Sequence, residues 1–307
     1  MLVAAVLWGT TGTARALGPD DASPAAVGAL RIIVGGTLLV LVFVTLPRFV
    51  APASRQARRQ GDKTRGGWAV VPTVTAAVAM AAYQPLFFGG VVRTGVAVGT
   101  VVGIGSAPVF AGLLGTVVRG ERLGRRWLLA TVLALGGTVL LLGTGDRADV
   151  DPRGIALALG AGASYAVYTL ATKLLLDRGL ESERVVAVTF GLAALLLVPV
   201  AAAAGIAPLV SVRGIAVVAH LAGLTVAVAY VLFARGLATV DVGVAGTLTL
   251  AEPATAATLG FVVLGERPGA GTWAGLLLIA AGLAMLVSMR AVPVRRTGDA
   301  GTRSRPT

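Results

Sequence analysis

The 307-residue chain has no cysteine, which excludes disulfides, thiolate chemistry and iron–sulfur ligation. Its one histidine, His220, cannot build a histidine-based metal site alone. Charged side chains make up 13% of the chain, against about 25% in a soluble globular domain, which argues against a water-soluble fold. No G-x-x-x-x-G-K-[ST] run occurs, so ATP is not the direct energy source. Gly103-Ile-Gly105 lacks a following third glycine and lies in an apolar span, so a dinucleotide site is not supported. No cofactor, metal or catalytic residue is therefore expected.

Apolar residues are abundant instead: 56% of the chain is hydrophobic and its mean hydropathy is +0.87. Runs long enough to cross a bilayer core of about 30 Å recur throughout. They predict an all-α polytopic membrane protein with ten transmembrane helices. The expected spans are 2–17, 24–46, 68–91, 95–118 and 126–143, then 154–172, 185–204, 214–233, 242–264 and 272–289. The first is apolar from Met1, with none of the basic lead of a signal peptide. Residues 291–307 form a basic tail.

The segment from Gly99 to Arg122 returns in weakened form 145 positions later, ending at Arg267. Pro108 answers Pro253, Gly115 answers Gly260, and Gly120-Glu121-Arg122 answers Gly265-Glu266-Arg267. Phe88 and Phe233 share this offset, whereas the first spans align less well and set Trp8 against Tyr165. The chain thus divides into five-helix repeats at 1–145 and 154–290. An odd number of spans makes the second copy enter from the opposite side, so the repeats are inverted, a common build for secondary transporters.

The net charge of +12 fits cytoplasmic loops better than nucleic acid, which is not an expected partner. With both termini cytoplasmic, 19 Lys and Arg fall on the cytoplasmic side and 6 outside. That bias follows the positive-inside rule for a multi-pass inner (plasma) membrane protein. A small-molecule substrate and the lipid bilayer are the expected partners, and a homodimer is left open.

Few polar residues lie within the spans. Glu252 is about ten residues into the ninth, roughly 15 Å deep, where a charge costs about 2.5–3.5 kcal/mol on insertion scales. It is either a substrate-amine or proton site, or a structural group supporting a helix break at Pro253. Arg31 either binds a substrate carboxylate or anchors a neighbouring helix end. His220 is a secondary proton-coupling candidate, with hydrogen-bonded packing as the alternative. Trp8, Tyr83, Gln84, Tyr165, Tyr168 and Tyr230 could wall a cavity with hydroxyl and amide groups or simply pack. Tyr230, near a span end, could instead join an interfacial belt. Glu121 and Glu266 are expected to cap helices or form local ion pairs.

Trp8-Gly9, Arg31, the Pro-centred fourth and ninth spans, the repeated G-E-R turn and Ala280-Ala281-Gly282-Leu283 together resemble the EamA branch of the drug/metabolite transporter superfamily. The resemblance covers essentially the whole chain. It implies a transporter, often an exporter, of small metabolites such as amino acids, amines or carboxylates, and not an enzyme. It also implies a cavity lined mainly by spans 1, 3, 4, 6, 8 and 9. The chain departs from the family pattern where Ala107-Pro108 stands for the Glu-Pro pair kept as Glu252-Pro253. Two other readings stay open. An intramembrane enzyme would need clustered catalytic groups, and a non-transporting membrane partner or assembly protein would lack a polar cavity.

Overall fold

The computed structural model describes residues 1–45, 66–142, 151–265 and 267–288. The basic loop after Pro47, the linker around Arg147, Glu266 and the tail 291–307 lie outside the described residues. Those described form helices and short connections, with no strand among them.

Helix α1 (Leu2–Ala16) leads into α2 (Pro24–Thr45). A helical run over Gly66–Arg119 breaks at Gly95, whose φ of 81° and ψ of 161° are open essentially to glycine alone. The break separates α3 (Ala69–Gly95) from α4 (Val98–Arg119). Then come α5 (Arg125–Leu142), α6 (Pro152–Asp177), α7 (Ser182–Ala204) and α8 (Val212–Leu237). The next apolar run is split into α9 (Val242–Leu248) and α10 (Ala251–Val263), and α11 (Ala270–Ser288) closes the described chain.

Seven described helices are long and apolar enough to cross a membrane: α2, α3, α4, α6, α7, α8 and α11. The other expected spans fall short for local reasons. Helix α1 has 15 residues, about 22 Å of rise. Helix α5 is described over only 18 residues, and the ninth run is interrupted at Thr249-Leu250.

The packing suits lipid as solvent. Large apolar side chains point outward, including Val212 (87% exposed), Val117 (73%) and Leu277 (70%). The interior is rich in alanine, with Ala4, Ala5, Ala29, Ala76, Ala130 and Ala134 fully buried, so helix backbones approach closely. Helix α5 crosses α11 where a Cβ on Gly275 would lie 2.6 Å from the Gly137 carbonyl oxygen. Helix α1 packs on α10, α2 on α7, α6 on the α3–α4 run, and α9 on α4.

Helix α8 contains an eight-residue π-helical segment, Leu221–Val228. Such segments are rare and recur at functional sites. Helix α6 runs on to Asp177 rather than stopping near 172, which brings Lys173 inside the fold at 6% exposure.

Candidate functional site

A ring network fills the centre of the bundle. Trp8 lies 4.8 Å from Tyr230, 5.4 Å from Phe233 and 6.3 Å from Tyr165, centroid to centroid. Tyr165 also meets Tyr83 at 5.9 Å and Tyr168 at 5.9 Å. Tyr230 packs on Phe190 at 4.4 Å. Rings from α1, α3, α6, α7 and α8 thus converge, with the tilted and edge-on geometries that aromatic pairs favour. Tyr230 is 4% exposed, so it belongs to this cluster and not to an interfacial belt.

The polar atoms of these rings are unevenly committed. Trp8 Nε1 donates to the Thr225 carbonyl at 2.9 Å, inside the π segment. Its ring is therefore available as a wall while its donor is engaged. The Tyr230 hydroxyl is 4.0 Å from Met80 Sδ, a weak acceptor. The Tyr168 hydroxyl lies beside Thr172, short of hydrogen-bond geometry. The Tyr165 hydroxyl and both side-chain polar atoms of Gln84 are buried with no protein partner. Buried polar groups are normally paired, so these two side chains keep unused hydrogen-bonding capacity.

Arg31 and Glu252 adjoin this set. Both are half-buried. Each acts electrostatically on the other and on Tyr83 and Tyr230. No ion pair within 4 Å joins them among the described residues, and Arg31 Nε has no hydrogen-bond partner. Gln84 rests against Gly28, where an added Cβ would lie 3.0 Å from its Oε1. Gly28 shares a face of α2 with Arg31 three residues on. Trp8 is followed by Gly9, where a Cβ would sit 2.8 Å from the Glu252 carbonyl oxygen and run into Thr255. The bare Gly9 lets α1 close on the first turn of α10 at Glu252.

The helix break differs from the expected one. It lies at Thr249-Leu250, before Glu252, and α10 begins at Ala251. Pro253 then falls in the first turn, where its missing N–H removes no intrahelical bond. Glu252 therefore has no freed carbonyl of Pro253 to serve. Its backbone N–H bonds the Thr249 carbonyl at 2.9 Å, and its carboxyl stands at a helix N-terminus, where negative charge is favoured.

His220 lies apart from the rings. Its Nε2 is 2.8 Å from Thr10 Oγ1. Both line a mainly apolar cleft of about 400 Å³ between α1, α8 and α10, with Arg213 and Leu259. Sequence reasoning missed Thr10, Thr225, Phe190 and Phe233. Thr225 acts through its backbone, which no side-chain pattern reveals.

A bundle of long apolar helices, packed around an aromatic cluster with Arg31 and Glu252 beside it, fits a multi-pass membrane protein. The EamA-like transporter family model matches residues 1–143 and again residues 152–288. The chain belongs to that family, within the drug/metabolite transporter superfamily. It is 40% identical over 301 residues to a Bacillus subtilis (strain 168) protein called "uncharacterized transporter YwfM", covering 98% of this chain and 96% of that one. It is 30% identical over 292 residues to the threonine/homoserine exporter RhtA of Escherichia coli (strain K12), covering 94% and 88%. A crystal structure with 23% identity superposes with a TM-score of 0.72 over 94% of this chain and 96% of that one. That likeness speaks to the fold.

Proposed function

We propose that the chain is a secondary exporter of a small zwitterionic metabolite, an amino acid or close relative, resident in the cell membrane. The observation that carries this reading is the set Arg31, Glu252, Gln84 and Tyr165. Opposite charges share one site without a direct ion pair, beside buried polar atoms that have no protein partner. A guanidinium matches a carboxylate in two-point fashion, and the Glu252 carboxylate suits an ammonium group. Gln84 and Tyr165 would take a polar side chain, and the rings would exclude bulk water. The similarity to the threonine/homoserine exporter RhtA favours a hydroxyl-bearing amino acid.

Transport would proceed by alternating access between inverted five-helix repeats, 1–145 and 154–290. The double family match supports the division. So does the packing at the α5–α11 crossing, where Gly137 lies against Gly275 and Gly282 against Ala130. Gly137 and Gly282, like Ala130 and Gly275, are 145 positions apart. Exchanging the repeats turns one contact into the other, as a two-fold axis in the membrane plane requires. Trp8 and Tyr165, opposed in the repeat alignment, meet edge to face. The bias of Lys and Arg supports a cytoplasmic location for both termini.

Proton exchange through Glu252, with His220 second, would couple the cycle. Glu252→Gln in proteoliposomes is expected to abolish pH-driven exchange of threonine or homoserine and to keep the parent's thermal melting. Unchanged coupling would sink this assignment. A thermal-shift screen against amino acids, amines and sugars tests the substrate class, because a ligand of the native state raises its apparent stability.

A further inference from the structure

The Met1 end of the bundle holds a charge network that the central site does not use. Arg119, the last residue of α4, donates from Nε to Glu121 Oε1 at 2.9 Å and pairs through its guanidinium with Asp177 at the end of α6. Asp177 also meets Lys173 Nζ at 3.3 Å. Lys173 in turn donates to the carbonyls of Leu237 at 3.0 Å and Ala238 at 3.1 Å, at the end of α8. The Glu121 carboxylate accepts from the Val242 backbone N–H at 3.0 and 3.1 Å and from Gly243 at 3.5 Å, capping α9. Glu121 is 9% exposed and Lys173 6%.

Four helix ends are thus tied at one point, one from the first family match and three from the second. A buried charge is tolerated when its partners are all in place, and removing one partner leaves the others costly. Such a network has two favourable states: fully made, or opened to water. The next residue inward from Lys173 is Thr172, fully buried, and one helical turn further in stands Tyr168 of the ring cluster.

We propose that this network is the inner gate of the transport path. Made, it closes the bundle at the Met1 end. Opening to that side breaks the Arg119–Asp177 pair and releases the Glu121 cap from α9. Glu121 is a positioning residue: it holds α9, whose far end leads through Thr249-Leu250 to Glu252. Movement at the gate is thereby transmitted to the helix terminus that carries the central carboxyl. The proposal rests on the transporter reading above.

The absence of cysteine gives a clean test. Thr172→Cys is introduced into the full chain, reconstituted in liposomes, and labelled with a membrane-impermeant thiol reagent from each side. Protection is expected with the gate intact. Arg119→Gln should raise the labelling rate from the Met1 side about fivefold, the effect of losing its two partly exposed ion pairs, to Glu121 and Asp177, on a two-state balance. Arg119→Lys keeps the charge and should keep the protection. Asp177→Asn supplies the same arm from the other partner should Arg119→Gln fail to fold. A labelling rate unmoved in a folded Gln or Asn variant overturns the gate, as does equal labelling in the Lys and Gln variants. No substrate is needed, so a shift in labelling without any transport would count against the transporter reading and not against the gate.

Discussion

Replacing Trp8 separates its two roles, since the ring packs in the cluster while the indole N–H bonds the Thr225 carbonyl at 2.9 Å. Trp8→Phe keeps most of the ring contacts and loses that bond. Interhelical hydrogen bonds in membranes average about 0.6 kcal/mol and reach about 1.7. Trp8 is 5% exposed and Thr225 is fully buried, so a loss of about 1 kcal/mol is expected. Trp8→Ala adds a cavity facing Tyr165, Tyr230 and Phe233. An aromatic-to-alanine change in a water-soluble core costs about 3–5 kcal/mol. Part of that is transfer out of water, which lipid-separated helices do not experience. About 2–3 kcal/mol is expected here. Thermal melting in detergent, with unfolding followed by aromatic fluorescence, measures both. Substrate affinity provides a second axis. With its donor engaged by Thr225, Trp8 offers substrate only a wall, so Trp8→Phe should leave KM within about twofold, a shift worth under 0.5 kcal/mol. A tenfold rise in KM with parent-like melting would refute the reasoning, because the indole N–H would then be serving substrate.

Tyr165→Phe removes a buried hydroxyl that has no protein partner. It should leave melting unchanged or slightly raised, while substrate affinity falls by about 1 kcal/mol in a binding assay. Gly275→Val forces a side chain against the Gly137 carbonyl and Leu141 and should destabilise by about 1–3 kcal/mol. Gly136→Ala, with nothing within 4 Å of the new Cβ, should be neutral or stabilising by up to about 1 kcal/mol on helix propensity; parallel melts of both variants check the pair. The Asp151 carboxyl is held below the ordinary carboxylate range, first by the Arg153 backbone N–H at 2.9 Å and then by the exposed Arg93 pair at 3.2 Å. A depressed folded pKa adds stability above the ordinary value, near 4, and loses it as pH falls through the depressed one. Asp151→Asn should therefore melt below the parent at neutral pH and converge with it in acid, and high salt should narrow the gap.

Much of the fold was legible because a bilayer imposes simple rules on sequence. Apolar length picked out the seven described helices that are long enough to cross a membrane. The aromatic candidates were also legible: Trp8, Tyr83, Tyr165 and Tyr230 stood out as polar-tipped rings within apolar runs, and the fold gathers them. The Arg119–Glu121 pair and the capping of α9 follow the expectation for the repeated turn. Two features were hidden. The π segment of α8 has no sequence mark, because Leu221–Val228 reads as an ordinary apolar helix. Lys173 falls one residue beyond the expected span 154–172, because a lysine ends an apolar run on hydropathy. In the fold its stem is buried and its ammonium reaches carbonyls of a helix distant in sequence, a partnership that only the packing reveals.

The two stretches that match the family model differ at a position where both carry a proline. In the first, Ala107-Pro108 lies inside the continuous helix α4. In the second, Glu252-Pro253 opens α10 after the Thr249-Leu250 break. A proline inside a helix removes one bond and kinks the rod, whereas a proline in a first turn costs nothing. The second arrangement also sets Glu252 in the first turn of a helix, near the positive end of its dipole. A carboxyl placed there is stabilised by the backbone that carries it, which a continuous α4 could not do at Ala107. The asymmetry is thus backbone first and side chain second. Giving Ala107 a carboxylate without the break would place a charge where no helix terminus receives it. We expect Ala107→Glu to fold less well than the parent by several kcal/mol, measured by detergent melting. A parent-like melt for that variant would show that the break is not what makes Glu252 tolerable.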